Sequence, residues 1–100
     1  MTQSYRLSKL ADAAIVDIVA YTDASFGDLQ TQAYLAGLKA SFELICQFPG
    51  IGVAAFEIKP TWRRYRYQSH YLFYSQQPDH ILIEAIVHTR RNIRTDLFDT

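Results

Sequence analysis

One hundred residues with 49% hydrophobic and 14% aromatic content describe one packed domain spanning 1–100 and exclude a disordered chain or a multi-domain array. Ten Lys/Arg balance ten Asp/Glu, so the zero formal net charge excludes any argument for nucleic-acid binding from pI alone. The charges lie unevenly: residues 1–50 hold three basic side chains against five acids, whereas residues 59–94 hold seven against two. The lone Cys46 cannot close an internal disulfide, which fits a reducing compartment. No apolar run approaches the roughly 20 residues of a membrane span. No signal-peptide core follows the polar start Met1-Thr2-Gln3-Ser4, so a cytoplasmic protein without membrane contact is expected.

In chain order, Tyr5-Arg6-Leu7 alternates and reads as a short edge strand, with Ser8 behind it as the N-cap of a helix. Leu10/Ala11, Ala14/Ile15, Ile18/Val19 and Tyr21/Thr22 then recur every three to four residues, an apolar stripe on one helix face with Asp12 and Asp17 on the other. The segment Asp23 to Gly27 interrupts the pattern, and Asp28 reads as a second N-cap. Tyr34/Leu35, Leu38, Phe42 and Ile45 predict a helix from about Leu29 to about Gln47, ended by Phe48-Pro49-Gly50. So short a link makes the two helices an antiparallel hairpin, and their apolar faces need a sheet to lie on.

The remaining half supplies one. Ala54-Ala55-Phe56-Glu57-Ile58 reads as a strand, Lys59-Pro60-Thr61 as a turn, and Trp62 to Tyr74 as a central hairpin around Gln68-Ser69. Arg64 and Arg66 alternate with Tyr65 and Tyr67, so one face is basic and the other aromatic. Beyond the turn His70, Leu72 and Tyr74 share one face, with Tyr71 and Phe73 on the other. After a turn at Gln76–Asp79 the last strand, Ile81 to His88, is expected to set Ile81, Ile83, Ala85 and Val87 against Leu82, Glu84, Ile86 and His88. The basic tail Thr89–Arg94 leads to Leu97-Phe98, expected to dock back on the body. Helices first and strands after give the α+β class: an N-terminal helical hairpin packed on a twisted antiparallel β-sheet, with a short N-terminal edge strand.

One cysteine and three separated histidines lack the spacing of a zinc site, and Gly50-Ile51-Gly52 precedes a strand where a nucleotide loop would follow one. No metal or other cofactor is expected. The functional candidate is the basic set Lys59, Arg63, Arg64, Arg66, Arg90, Arg91 and Arg94, since such groups hold phosphates and interleaved tyrosines stack on bases. The alternative is a solvated sheet face. His88, at a strand end beside Arg90 and Arg91, has the intrinsic pKa for acid-base work in RNA cleavage, against the plainer role of bonding a neighbouring loop. His70, Trp62 and the stripe Tyr65, Tyr67, Tyr71 and Phe73 read as packing residues.

Taken in order, these pieces resemble the RelE/ParE superfamily of bacterial toxins, and within it the ParE branch. The resemblance runs through Leu7-Ser8-Lys9-Leu10-Ala11, Tyr21-Thr22, Gln32-Ala33-Tyr34, Phe48-Pro49-Gly50-Ile51-Gly52, Ser69-His70-Tyr71-Leu72-Phe73-Tyr74 and Ile86-Val87-His88-Thr89-Arg90-Arg91-Asn92-Ile93. Trp62 stands where the family usually has Leu, and Asn92 where it usually has Asp. The resemblance implies the toxin of a type II toxin-antitoxin system that blocks replication by inhibiting DNA gyrase. It also implies a cognate ParD-like antitoxin with a ribbon-helix-helix domain, through which alone the toxin would reach DNA. Target binding is then expected at Arg63, Arg64, His88, Arg90, Arg91 and Arg94, and antitoxin binding at Leu10, Ile15, Tyr21, Tyr34, Leu38 and Phe42. A gyrase inhibitor needs no catalytic residue. The runner-up is a RelE-like ribosome-dependent mRNA endoribonuclease built on Arg63, His88 and Arg91, and a third possibility is an inactive toxin fold that only binds its antitoxin.

Overall fold

The computed structural model describes residues 4–93 and 95–98. Strand β1, Ser4–Leu7, leads through Ser8 into helix α1, Lys9–Phe26. Ser8 caps the helix as expected: its Oγ accepts from the Ala11 N–H at 3.0 Å. The helix runs four residues past Thr22, because Asp23 to Phe26 keep helical backbone bonding and only Gly27, at φ +89°, leaves the helical region. Helix α2, Asp28–Gln47, starts at once. Gly27, not Asp28, is its N-cap, with the Gly27 carbonyl accepting from Thr31 N–H and Oγ1. Asp28 lies in the first turn, where its carboxylate accepts from Gln32 Nε2 and complements the helix dipole. One residue thus joins the two helices into the expected hairpin.

Five strands form one sheet in the order β1-β5-β4-β3-β2, comprising β2 Val53–Ala54, β3 Arg63–Tyr67, β4 His70–Gln76 and β5 His80–His88 besides β1. The meander β2 to β5 is antiparallel, while β1 joins β5 in parallel, so the sheet is mixed at that edge. The strand expected over 54–58 is shorter and earlier. Past Ala54 the Ala55 carbonyl accepts from both Ile58 and Lys59 N–H, closing a tight turn, and Pro60 has no N–H to continue a ladder. The hairpin turn is Gln68-Ser69 as expected, with Tyr67 opposite His70 and Gln68 at φ +51°.

The face assignment in β5 differs from expectation. Phe73 pairs with Ala85 and Tyr74 with Ile83, leaving Glu84 as an inserted residue in a β-bulge. Alternation changes phase there, so Ile81, Ile83 and Ile86 face the helices while Ala85 and Val87 turn to the opposite side. Two cores result. One lies between helices and sheet, around Leu38, Phe42, Ile45, Leu72 and Tyr74. The second, on the other face, gathers Ala55, Trp62, Phe73, Ala85 and Val87. A 3-10 turn, Thr95–Phe98, closes the second core as expected, with the Phe98 ring 5.0 Å from Trp62 and 5.2 Å from Phe73.

The bulge is held by its neighbours. Ser8 Oγ donates to the Glu84 carbonyl at 2.7 Å, and the Glu84 carboxylate accepts from Ser75 Oγ at 2.7 Å. One hydroxyl therefore both starts α1 and satisfies the inserted residue. On β4 beside the bulge, Tyr74, 1% exposed, donates to the Pro49 carbonyl at 2.7 Å and accepts from the Gly52 N–H at 2.8 Å. That phenol ties the loop after α2 to the central strand.

Candidate functional site

The β5 bulge decides what meets near the turn end of the helical hairpin. By restoring Ile86 and His88 to the helix side, it sets His88 directly opposite His70, with ring centroids 5.3 Å apart and nearly perpendicular. From α2, the Tyr34 hydroxyl is hydrogen-bonded to His70 Nδ1, and the Tyr67 hydroxyl donates to the Tyr34 carbonyl at 3.0 Å. The Arg90 backbone N–H donates to His88 Nδ1 at 3.1 Å. Tyr34, His70 and His88 floor a groove of about 610 Å³ whose walls include Asp17, Tyr21, Phe26 and Gln30. Burial, reinforced by His88, lowers the His70 imidazole below its ordinary value, and burial beside Tyr67 pushes Tyr34 up to about 12. At neutral pH the site is therefore a neutral imidazole fixed by a protonated phenol.

The expected target-binding residues separate into groups. Arg64 and Arg66 lie on the sheet face away from the helices, Arg64 stacking over Tyr71 at 5.0 Å and the exposed Arg66 donating to the Gln68 carbonyl. Arg90 and Arg91 are exposed and follow β5 at the same end of the sheet, where Thr89 N–H bonds the Ser69 carbonyl. Arg63 sits at the far end, donating to the Gly52 carbonyl at 2.9 Å and packing on the Phe56 ring. It pairs with Tyr74 whereas His88 pairs with His70, which puts Arg63 roughly 13 Å away along β4 and two strands across. Arg91 lines a different, smaller groove with Leu10, Leu97 and Phe98. Arg63 thus does not converge with His88 and Arg91, which are joined in one turn by an Arg91 N–H bond to the His88 carbonyl at 3.0 Å, and Arg94 falls outside the described residues.

The expected antitoxin contacts also divide. Leu38 and Phe42, 2% and 3% exposed, belong to the core and form no surface, while Leu10 and Ile15 are half-buried against the sheet. Tyr34 floors the groove and Tyr21 stands on its rim, 67% exposed. Sequence reasoning passed over Phe26 and Leu29, 62% and 84% exposed at the hairpin tip, and over Phe48, Ile51, Val53 and Phe56 beside the short edge strand. Their signal was an apolar residue at a loop or helix end with no place in the helical period. The Cys46 thiol is buried and burial pushes its pKa up, so it offers no nucleophile. Among the described residues no three His, Cys, Asp or Glu side chains come together as a metal site, and no helix is long and apolar enough to cross a membrane.

Comparison with known proteins matches this architecture. The chain is 32% identical over 93 residues to Toxin ParE1 of Caulobacter vibrioides, covering 93% of this chain and 96% of that protein. It is 30% identical over 98 residues to Toxin ParE1 of Mycobacterium tuberculosis, covering 97% of this chain and 100% of that protein. The fold is similar to a solved structure described as the chromosomal ParDE TA system from P. aeruginosa, with a TM-score of 0.76 at 13% identity over 89% of this chain and 98% of that one. A family model for the ParE toxin of the type II toxin-antitoxin system parDE matches residues 5–93, the stretch from β1 to the end of the basic turn, and the chain belongs to that ParE toxin family.

Proposed function

We propose that this ParE-family toxin acts in the cytoplasm by binding DNA gyrase, without chemistry of its own, and that a ParD-like antitoxin with a ribbon-helix-helix domain neutralises it. The separation of Arg63 from His88 carries the reading. A ribonuclease needs its acid, base and phosphate clamp within hydrogen-bond reach of one reacting centre, at roughly 3 Å. A binder needs only charge and shape on one surface. Arg64, Arg66, Arg90 and Arg91 supply the charge at one end of the sheet, with Tyr71 as an aromatic platform under Arg64. That end is the target surface, and Arg63 belongs to the loop scaffold instead.

The antitoxin covers the hairpin end. Tyr21, Phe26 and Leu29 form an exposed apolar rim beside the groove, the kind of surface that an amphipathic segment covers. Supercoiling of relaxed plasmid by gyrase, run beside translation with primer-extension mapping of message ends, tests the reading. Inhibited supercoiling with intact message is expected, and inhibition is expected to weaken in Arg90→Ala/Arg91→Ala. Intact supercoiling with message cut at the ribosome refutes it.

A further inference from the structure

The His70/His88 pair has a chemistry that the toxin reading does not use. The Arg90 N–H donates to His88 Nδ1, so that nitrogen is an acceptor and the ring's N–H is on Nε2. The Tyr34 hydroxyl, held protonated by burial, is able to donate to His70 Nδ1, and in that arrangement the His70 proton is on Nε2 as well. Two imidazoles facing each other across β4 and β5 thus each keep one N–H donor, and both rings line the groove. The rings are nearly perpendicular with centroids 5.3 Å apart, close enough for one carboxylate to reach an N–H of each.

We propose that this end of the groove is a carboxylate subsite, which takes one Asp or Glu side chain of the antitoxin segment lying against Tyr21 and Phe26. The proposal rests on the antitoxin reading for its ligand and on the ring geometry for its chemistry. The walls favour a lone carboxylate on an apolar segment over a nucleic-acid backbone. None of the described lining residues is Lys or Arg, the groups that hold a nucleic-acid backbone. Ser69 and Gln68, also in the lining, add neutral polar groups beside the rings.

Two experiments keep the subsite and the antitoxin reading distinguishable. In the first, 15N spectra of the histidine rings of the whole toxin are followed during titration with N-acetyl-glutamate amide, with N-acetyl-glutamine amide as the neutral control. Nε2–H tautomers at His70 and His88 and shifts from the acid only are expected. Equal shifts from both compounds, or Nδ1–H tautomers, overturn the subsite. In the second, binding of the co-expressed antitoxin is compared for wild type, His88→Ala and His88→Gln.

Loss of a hydrogen bond to a charged acceptor predicts about a tenfold weaker complex for His88→Ala, with partial recovery in His88→Gln, whose amide restores an N–H. His88 is exposed, so neither substitution is expected to perturb folding. Equal affinities for all three overturn the subsite while leaving the antitoxin reading in place. Sensitivity to amidation of the antitoxin's C-terminus, in place of sensitivity to its acidic side chains, overturns the assignment to a side chain. A wild-type toxin that binds no antitoxin refutes the partner reading by itself.

Discussion

Tyr74→Phe isolates one oxygen atom. The ring is 1% exposed and its packing survives the substitution, but the phenol's two bonds, 2.7 Å to the Pro49 carbonyl and 2.8 Å from the Gly52 N–H, are both lost. Burial raises the phenol's pKa, so at neutral pH it is fully able to donate. Gly52 is buried, and a buried N–H without an acceptor costs about 1–3 kcal/mol, while the more accessible Pro49 carbonyl loses about 0.5–1.5 kcal/mol. A combined loss of about 2–4 kcal/mol lowers Tm by roughly 10–25 °C in a domain of this size. Urea unfolding is the assay: the midpoint falls and the slope m is unchanged.

A double-mutant cycle with Gly52→Ala sharpens the test. A Cβ at Gly52 would lie 2.6 Å from the Tyr74 hydroxyl and 2.8 Å from the Arg64 carbonyl. Removing the hydroxyl relieves the first clash only, so the double variant is less destabilised than the sum of the single ones. A Tyr74→Phe loss under about 0.5 kcal/mol, or strict additivity, refutes the idea that this phenol anchors the loop.

Ser8→Ala removes both the α1 cap and the donor to the Glu84 carbonyl, and a loss of about 1–2 kcal/mol is expected in chemical denaturation, with Ser8→Thr recovering part of it. His70 is lowered in the folded state by burial and by His88, so between its ordinary value near 6.5 and its native one the unfolded chain binds the extra proton. Stability contributed by the neutral ring is therefore full above about pH 6.5 and declines as pH falls through that window. Thermal melts across pH 4–8 are expected to show this slope in wild type and a flatter one in His70→Gln. Phe98→Ala empties the site between Trp62 and Phe73, and a loss of about 3 kcal/mol with altered Trp62 fluorescence is expected. Unchanged emission would mean that the C-terminal turn does not pack on this face in solution.

The helical hairpin was legible because its signals are local: Ser8 as a cap, apolar spacing of three and four, and Pro49-Gly50 as a stop. Its turn was misread because Asp23 to Phe26 lack apolar periodicity yet still bond as helix, the break requiring only Gly27. The strand over 54–58 failed because backbone turn bonds to the Ala55 carbonyl outweighed the β propensity of Phe56 and Ile58. The bulge at Glu84 was hidden for a different reason. Counting back from the Gln76–Ile81 turn pair without an inserted residue sets His70 opposite Val87, on the wrong face from His88. No residue type in β5 announces the insertion, and the hydroxyl that satisfies it is Ser8, far off in the sequence. The site is therefore a property of the ladder register and of no local motif.

The parallel pairing of β1 with β5 has a consequence for synthesis on the ribosome. Ser4 meets His80 and Leu7 meets Ile83, so the first strand to emerge waits for the last to find its partner. Until then the hairpin's apolar stripe, including Ala11 and Ile45, has no finished sheet to cover it. The sheet is thus complete only once the strand that carries His88 has arrived. A partner that recognises the closed groove has nothing to grip before that moment.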